Sequence, residues 1–257
     1  MVKVSCIIAA YNEGKRIGDV LNVVSFHPLI DEVIVINDGS TDETSSITRQ
    51  FKKIILINQP RKLGKSLALS KGLQKARGTY LLFLDADLIG LNKHNITDLI
   101  TPVMKGKVSL TISLRKNTLW PWKIIGLDYL SGDRMLPASI LKNQLAALAS
   151  LHSFGVEVFL NKLIIQKCNS LKIVNWNNVS SPYKYKKYGF WSGCRENLRM
   201  IEDILKLSTP SELILQIIKL SRLKVKDARS DKFSGNKEIS PEDHRLNTSE
   251  NHNKFSF

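Results

Sequence analysis

Between Lys3 and Leu84 the chain switches repeatedly between short Val/Ile-rich runs and stretches with helical spacing, and this alternation constrains the fold more than any other feature. The apolar runs are KVSCIIA at 3–9, EVIVIN at 32–37, Ile54–Ile57 and Tyr80–Leu84. They are apolar on successive residues rather than on alternate ones, as strands buried on both faces of a parallel sheet are. Between the first two, Gly14–Phe26 sets Ile17, Val20, Leu21 and Val24 on one helical face, and a second helix is predicted from about Gly64 to Ala76. Strands alternating with helices in this way predict βαβ units and an α/β fold: a Rossmann-like, mostly parallel sheet flanked by helices.

The remainder is less regular. A strand is predicted at Val108–Ser113, a helix at Pro137–Ser150, a helix at Val156–Cys168 and a short strand at Leu171–Val174. Amphipathic helices are predicted at about Arg195–Leu207 and Pro210–Leu223, the second with Leu213, Ile214, Ile217 and Leu220 on one side. Beyond Val225 the chain is polar with few apolar anchors, the composition of a disordered tail. The expected organisation is therefore a strand–helix half at 1–115, a second half with C-terminal helices at 116–223, and a disordered tail at 224–257.

Composition narrows the class. With 257 residues the chain buries a substantial core, and its 14 Gly and 8 Pro are too few for collagen-like or low-complexity architecture. No stretch of about 18 apolar residues runs uninterrupted, so no spanning helix is predicted. The apolar start meets Asn12 and Glu13 at once, which reads as a strand and not a signal peptide. Cys6, Cys168 and Cys194 are odd in number and form no CxxC pair, consistent with reduced thiols and a cytoplasmic setting, peripheral on the inner face of a membrane included. The net charge is +15, and the segment from Lys224 onward, with seven basic and six acidic residues, accounts for only +1 of it. A basic folded body points to an anionic partner, although solubility alone also accounts for it.

Chemistry concentrates where three predicted strands end. Ala10-Tyr11-Asn12-Glu13-Gly14 follows the first, Asn37-Asp38-Gly39-Ser40-Thr41-Asp42 the second, and Asp85-Ala86-Asp87 ends the fourth. Ligands of open α/β sheets bind at the carboxyl ends of the strands. Clustered carboxylates repel unless a cation or hydrogen-bond donors lie between them. A divalent ion with a nucleotide diphosphate supplies that cation, since Mg²⁺ takes one or two carboxylates plus phosphate oxygens. Each motif alone has a bland reading: DxD arises by chance, and Asp-Gly is more often a simple turn.

In order and spacing these motifs resemble those of family 2 glycosyltransferases of the GT-A fold. The resemblance rests on Ile7–Glu13, on Val35–Asp42, on Gly64–Gly72 followed by Ala76-Arg77-Gly78, and on Leu84–Asp87, and it covers residues 3 to about 115. It implies a nucleotide-sugar donor, with Asp38 at the base, Asp85 and Asp87 serving ribose, diphosphate and Mg²⁺ or Mn²⁺, and Ala10, Tyr11 and Glu13 lining the nucleoside pocket. More loosely, Leu130–Arg134 and Phe154–Val158 are similar to elements of glucosyl-3-phosphoglycerate synthase-like and polyprenyl-phosphate sugar transferases. Asn178-Val179-Ser180-Ser181 falls where such proteins often carry Val-Ser-His; Ser181 stands in the position of the metal-ligating His, and hydroxyl oxygen is a poorer ligand.

Departure of a diphosphate needs positive charge, and Lys65, with Lys62 nearby, is a candidate source; a solvated basic loop is the bland reading. A sugar hydroxyl acceptor needs a carboxylate base, for which Asp133 and then Glu157 are the candidates, each equally able to pair with Arg134 or a helix terminus. An acceptor that is already an anionic phosphate needs no base. That favours a phosphate-bearing acceptor, with a small polar one as the other option, met by Arg134, Lys186 and Lys187. The aromatic and cationic run Tyr183–Trp191 suits a lid, a contact with an anionic membrane, or a plain surface loop, and Trp120-Pro121-Trp122 is similarly open.

Rival classes are weaker. Gly14 and Gly18 do not form a dinucleotide fingerprint, and Gly64-Lys65-Ser66 lacks the upstream glycine of a phosphate loop. No nucleic-acid motif accompanies the charge, and acidic strand ends repel a phosphate backbone, so no nucleic acid is expected as a partner. A nucleotidyltransferase would carry its Gly- and Lys-containing loop after the first strand, where Tyr11-Asn12-Glu13 stands instead. The principal alternative keeps the fold and loses the reaction: a catalytically degenerate nucleotide-sugar-binding protein.

Overall fold

The computed structural model describes residues 3–151, 155–182, 202 and 207–225. Seven strands are found there: β1 (Val4–Ala10), β2 (Glu32–Asn37), β3 (Ile54–Asn58), β4 (Tyr80–Asp85), β5 (Leu110–Arg115), β6 (Arg134–Pro137) and β7 (Leu171–Trp176). Between and after them run α1 (Gly14–Val24), α2 (Thr44–Arg49), α3 (Lys65–Lys75), α4 (Lys93–Met104), α5 (Trp120–Ile125), α6 (Leu145–Ala149), α7 (Gly155–Lys167) and α8 (Pro210–Arg222).

The strands form one sheet in the order β3-β2-β1-β4-β6-β5-β7. All neighbours are parallel except β6, which runs antiparallel to both β4 and β5. This is the mostly parallel, helix-flanked sheet that the alternation predicts. The reversed β6 has a consequence for function. Its amino end, preceded by Ser131-Gly132-Asp133, lies at the edge where β1, β2, β4 and β5 have their carboxyl ends.

Side chains alternate across the sheet. Val4, Cys6 and Ile8 join Val33 and Val35 under Ile17, Val20 and Leu21 of α1 and Ile96, Leu99 and Ile100 of α4. Ile7, Ile34 and Ile36 face the other way, onto Ala68 and Leu69 of α3 and Leu160, Leu163 and Ile164 of α7. Burial on both faces is why these strands carry apolar residues at successive positions.

The differences from the sequence reading have local causes. The helix expected at Pro137–Ser150 is a 3₁₀ turn (Ala138–Leu141) and the short α6, broken where Asn143 takes φ +65°. Pro137 itself closes β6. The helix α4, not anticipated, is started by a reciprocal cap in which Asn92 accepts from the Asn95 amide and Asn95 accepts from that of Asn92. The aromatic run Tyr183–Trp191, the helix expected at Arg195–Leu207 apart from Glu202 and Leu207, and the tail after Val225 lie outside the described residues.

Candidate active site

Two clusters form at the carboxyl edge of the sheet. The first joins the turns after β1 and β2. Thr41 N–H donates to Asn12 Oδ1 (2.9 Å), Asn12 N–H to Ser40 Oγ (2.9 Å), Glu13 N–H to Thr44 Oγ1 (2.8 Å) and Gly14 N–H to Asp42 Oδ2 (2.9 Å). Burial works against the charge on Asp42, but hydrogen bonds from Thr44 and Gly14 outweigh it and lower its pKa. Gly39 has φ +69°, and a Cβ there would lie 2.2 Å from the carbonyl carbon of Arg61. Only glycine permits that approach.

The candidate donor residues of this cluster are largely committed. Ala10 is buried and its carbonyl accepts from Asp38 N–H (2.8 Å). Glu13 is buried and holds Arg16 at 2.9 Å. The Asp38 carboxylate accepts from Gln59 Nε2 (2.8 Å), Leu63 N–H (2.8 Å) and Gly64 N–H (2.9 Å). It ties the end of β2 to the start of α3. Tyr11 is half-buried, with the Lys62 ammonium 4.3 Å from its ring centre.

The second cluster surrounds Asp85. Lys65, first residue of α3, donates to Asp85 Oδ1 (2.9 Å) and to Glu157 Oε1 in the first turn of α7 (2.8 Å). Arg115, last residue of β5, donates through NH1 to Asp85 Oδ2 (3.1 Å) and to Ser181 Oγ (2.5 Å). Its Nε lies 3.6 Å from Asp133 Oδ2. Burial disfavours the Asp85 charge, but Lys65 and Arg115 together hold the carboxyl well below the usual carboxylate range. Lys65, despite its own desolvation, is held above its ordinary value by Asp85 and Glu157. Gly132 explains the tight approach of the β6 entry: a Cβ there would sit 2.5 Å from Asp85 Oδ1.

Asp133, the first candidate base, and Arg134, the candidate acceptor contact, are each 0% exposed. Asp133 accepts from Asp85 N–H (2.9 Å) and Ser113 Oγ (3.2 Å). Burial lifts its pKa to about 6 against the pull of Arg115, and the Asp85 charge adds to the rise. Arg134 donates to Asn161 Oδ1 (3.1 Å) and to the Ser131 carbonyl, and burial lowers its pKa. The entry to β6 thus turns both side chains inward, where they bond to groups of β4, β5 and α7. Glu157, also buried, is held by Lys65. Asp87 is half-buried at the turn that follows Asp85. Lys186 and Lys187 lie outside the described residues.

The expected Mg²⁺ or Mn²⁺ can be weighed against this donor set. Both oxygens of Asp85 and the Ser181 hydroxyl are engaged by cationic side chains, and among the described residues no three His, Cys, Asp or Glu side chains converge on a point. These groups do not fit a divalent ion held between Asp85 and position 181, because a guanidinium already bridges them. Arg115 is the site residue that the sequence reading missed. Its signal was positional: a basic residue at the end of a predicted strand, at the edge that carries the Asp-Ala-Asp turn.

Against known proteins, residues 5–164 match the model of the glycosyl transferase family 2, so the chain belongs to that family. It is 34% identical over 99 residues to a dolichyl-phosphate beta-glucosyltransferase of Trichomonas vaginalis, covering 34% of this chain and 31% of that protein. It is 37% identical over 90 residues to the poly-beta-1,6-N-acetyl-D-glucosamine synthase of Staphylococcus epidermidis, covering 34% of this chain and 22% of that protein. The chain therefore spans less than a third of these relatives' length. The fold is that of glucosyl-3-phosphoglycerate synthase from Mycobacterium tuberculosis, solved with Mn²⁺, UDP and glucosyl-3-phosphoglycerate: the TM-score is 0.63 at 22% identity, over 80% of this chain and 79% of that one. The same protein solved with Mg²⁺ and UDP aligns with a TM-score of 0.63 at 21% identity, over 80% of this chain and 79% of that one.

Proposed function

We propose that this chain transfers a hexose from a nucleotide diphosphate sugar to a phosphate-bearing acceptor. Family membership and the position of the site at the carboxyl edge of the sheet support the transfer reaction. In this reading the nucleoside lies over the Tyr11 and Gly39 turns, Asp87 accepts from ribose hydroxyls, and Lys65 and Arg115 stabilise the negative charge that develops on the departing diphosphate.

The observation that carries the acceptor assignment is that neither candidate base is free. Glu157 is paired with Lys65 at 2.8 Å, and Asp133 is fully buried and hydrogen-bonded. A phosphate oxygen is already ionised, so it attacks the anomeric carbon with no proton to remove. The bond from that carbon to the diphosphate oxygen breaks, and the new bond joins it to the acceptor phosphate. A second observation favours a lipid-linked phosphate. The helix α5 begins five residues after Arg115; its N-cap Leu119 (60%) and its own Trp120 (73%) and Ile124 (76%) are exposed. Dolichyl phosphate, named for a relative, is an acceptor of this chemistry.

A donor panel tests the reading. UDP-glucose, UDP-GlcNAc, GDP-glucose and GDP-mannose are compared by thermal shift; one of them, at about 100 times its dissociation constant, should add about 2.7 kcal/mol to stability. Nucleoside diphosphate release on adding a polyprenyl phosphate then separates an enzyme from the degenerate-binder alternative. A donor that binds without ever being turned over would favour that alternative, and no shift with any donor would remove the reading.

A further inference from the structure

Resting on that reading of the donor site, we infer that Arg115 takes the place of a divalent cation, so that a nucleoside diphosphate binds this protein without a metal ion. Carboxylates gathered at a strand edge need a positive charge among them. Here the chain itself supplies one. NH1 of Arg115 has two hydrogens, and they go to Asp85 Oδ2 and Ser181 Oγ, oxygens brought together from β4 and from the segment after β7. Asp133, Asp85, Asp128 and Asp87 all act on the same guanidinium.

The surroundings hold Arg115 in this role. The loop bearing Ser181 is fixed by Ile89, which exchanges backbone hydrogen bonds with Ser180 (2.8 and 3.0 Å). A side-chain amide pair between Asn95 and Asn178 (3.0 and 3.1 Å) ties the same loop to α4. Asn117, just past Arg115, donates to the Ser181 carbonyl (2.6 Å) and accepts from its N–H (3.2 Å). A dication placed between Asp85 and Ser181 would have to displace the guanidinium from both partners and meet its charge at close range.

The arginine is also suited to the task. Its side chain is 13% exposed while that of Asp133 is 0% exposed. NH2, the guanidinium nitrogen used by none of Asp85, Ser181 and Asp133, is the part of the fork that can donate to a phosphate oxygen. With Lys65 it sets two fixed positive charges on either side of Asp85, at 2.9 and 3.1 Å, before any donor arrives.

The test is calorimetric titration of the whole chain with UDP and with GDP, in EDTA and in MnCl₂. The expected result is binding of one nucleotide with equal affinity in both, and about 10- to 100-fold weaker binding in EDTA for Arg115→Gln. Arg115→Lys, which keeps charge but loses the fork, should fall between. Binding by the wild-type chain only in MnCl₂ would overturn the inference and leave the donor site standing, and that comparison does not depend on any variant folding. Binding of neither nucleotide under either condition would overturn the inference together with the donor site.

Discussion

Gly132 shows how single residues set the site. Its missing side chain is what lets the entry to β6 press against Asp85, where a Cβ would be 2.5 Å from Oδ1. Gly132→Ala should therefore move the Asp85 carboxylate off Lys65 and Arg115. The expected cost is about 1–3 kcal/mol of stability, with a clear loss of donor affinity; urea unfolding and titration with the donor check both. Asp133 gives a pH signature. Its folded pKa of about 6 lies above the ordinary 3.8, so the folded chain takes up a proton before the unfolded one does. Stability contributed by that proton is absent above the folded value and appears as pH falls from about 7 to about 4. Buried His27 acts in the opposite sense, because burial lowers its pKa and falling pH then favours the unfolded chain. The difference between wild type and Asp133→Asn cancels His27. In melting curves across that range, the wild type should gain on the variant as pH falls, and a flat difference would mean an ordinary Asp133.

At the scale of elements, α4 couples the fold to the site. Its reciprocal Asn92–Asn95 cap starts the helix, and Asn95 in turn pairs with Asn178, three residues before Ser181. Asn92→Ala should cost about 1 kcal/mol in chemical denaturation. Asn178→Ala should cost stability too, but only it should weaken donor binding, because it frees the Ser181 loop; equal effects of the two on binding would break this link. Elements like these mark the limit of sequence reading. The strands β1, β2 and β4 were legible because burial on both faces leaves a continuous apolar signature, and the edge strand β3 by its Ile-rich run. The strand β6 was not: RMLP is four residues, starts on a buried arginine and is defined only by its long-range pairing with Phe83 and Ile112. The helix α4 was hidden by His94, Thr97, Thr101 and Pro102 among its apolar positions. For the site, the strand-end motifs located the edge. Which acids face ligand and which brace the sheet depends on side chains from β5, β6 and α7 that no local pattern brings together.

Across the whole molecule, the charge and α5 bear on where the acceptor is met. The net charge of +15 lies almost wholly before residue 224, and α5 offers Leu119, Trp120 and Ile124 to solvent beside Lys123. No helix among the described residues is long and apolar enough to cross a membrane. An exposed Trp and aliphatic side chains on one short helix suit shallow insertion, and basic residues near an anionic leaflet add about 1 kcal/mol each until salt screens them. Sedimentation with vesicles should therefore show binding to phosphatidylglycerol-containing membranes that weakens as salt is raised, and little binding to phosphatidylcholine alone. Replacing Trp120 and Ile124 together by Ser should reduce the partition coefficient about tenfold or more, since each side chain contributes about 1.5–3 kcal/mol when fully buried. Donor binding should be unchanged, because α5 holds no donor contact in this reading. Turnover should fall with a lipid-linked phosphate and hold with a short-chain, water-soluble one; loss with both acceptors would instead place α5 inside the catalytic machinery.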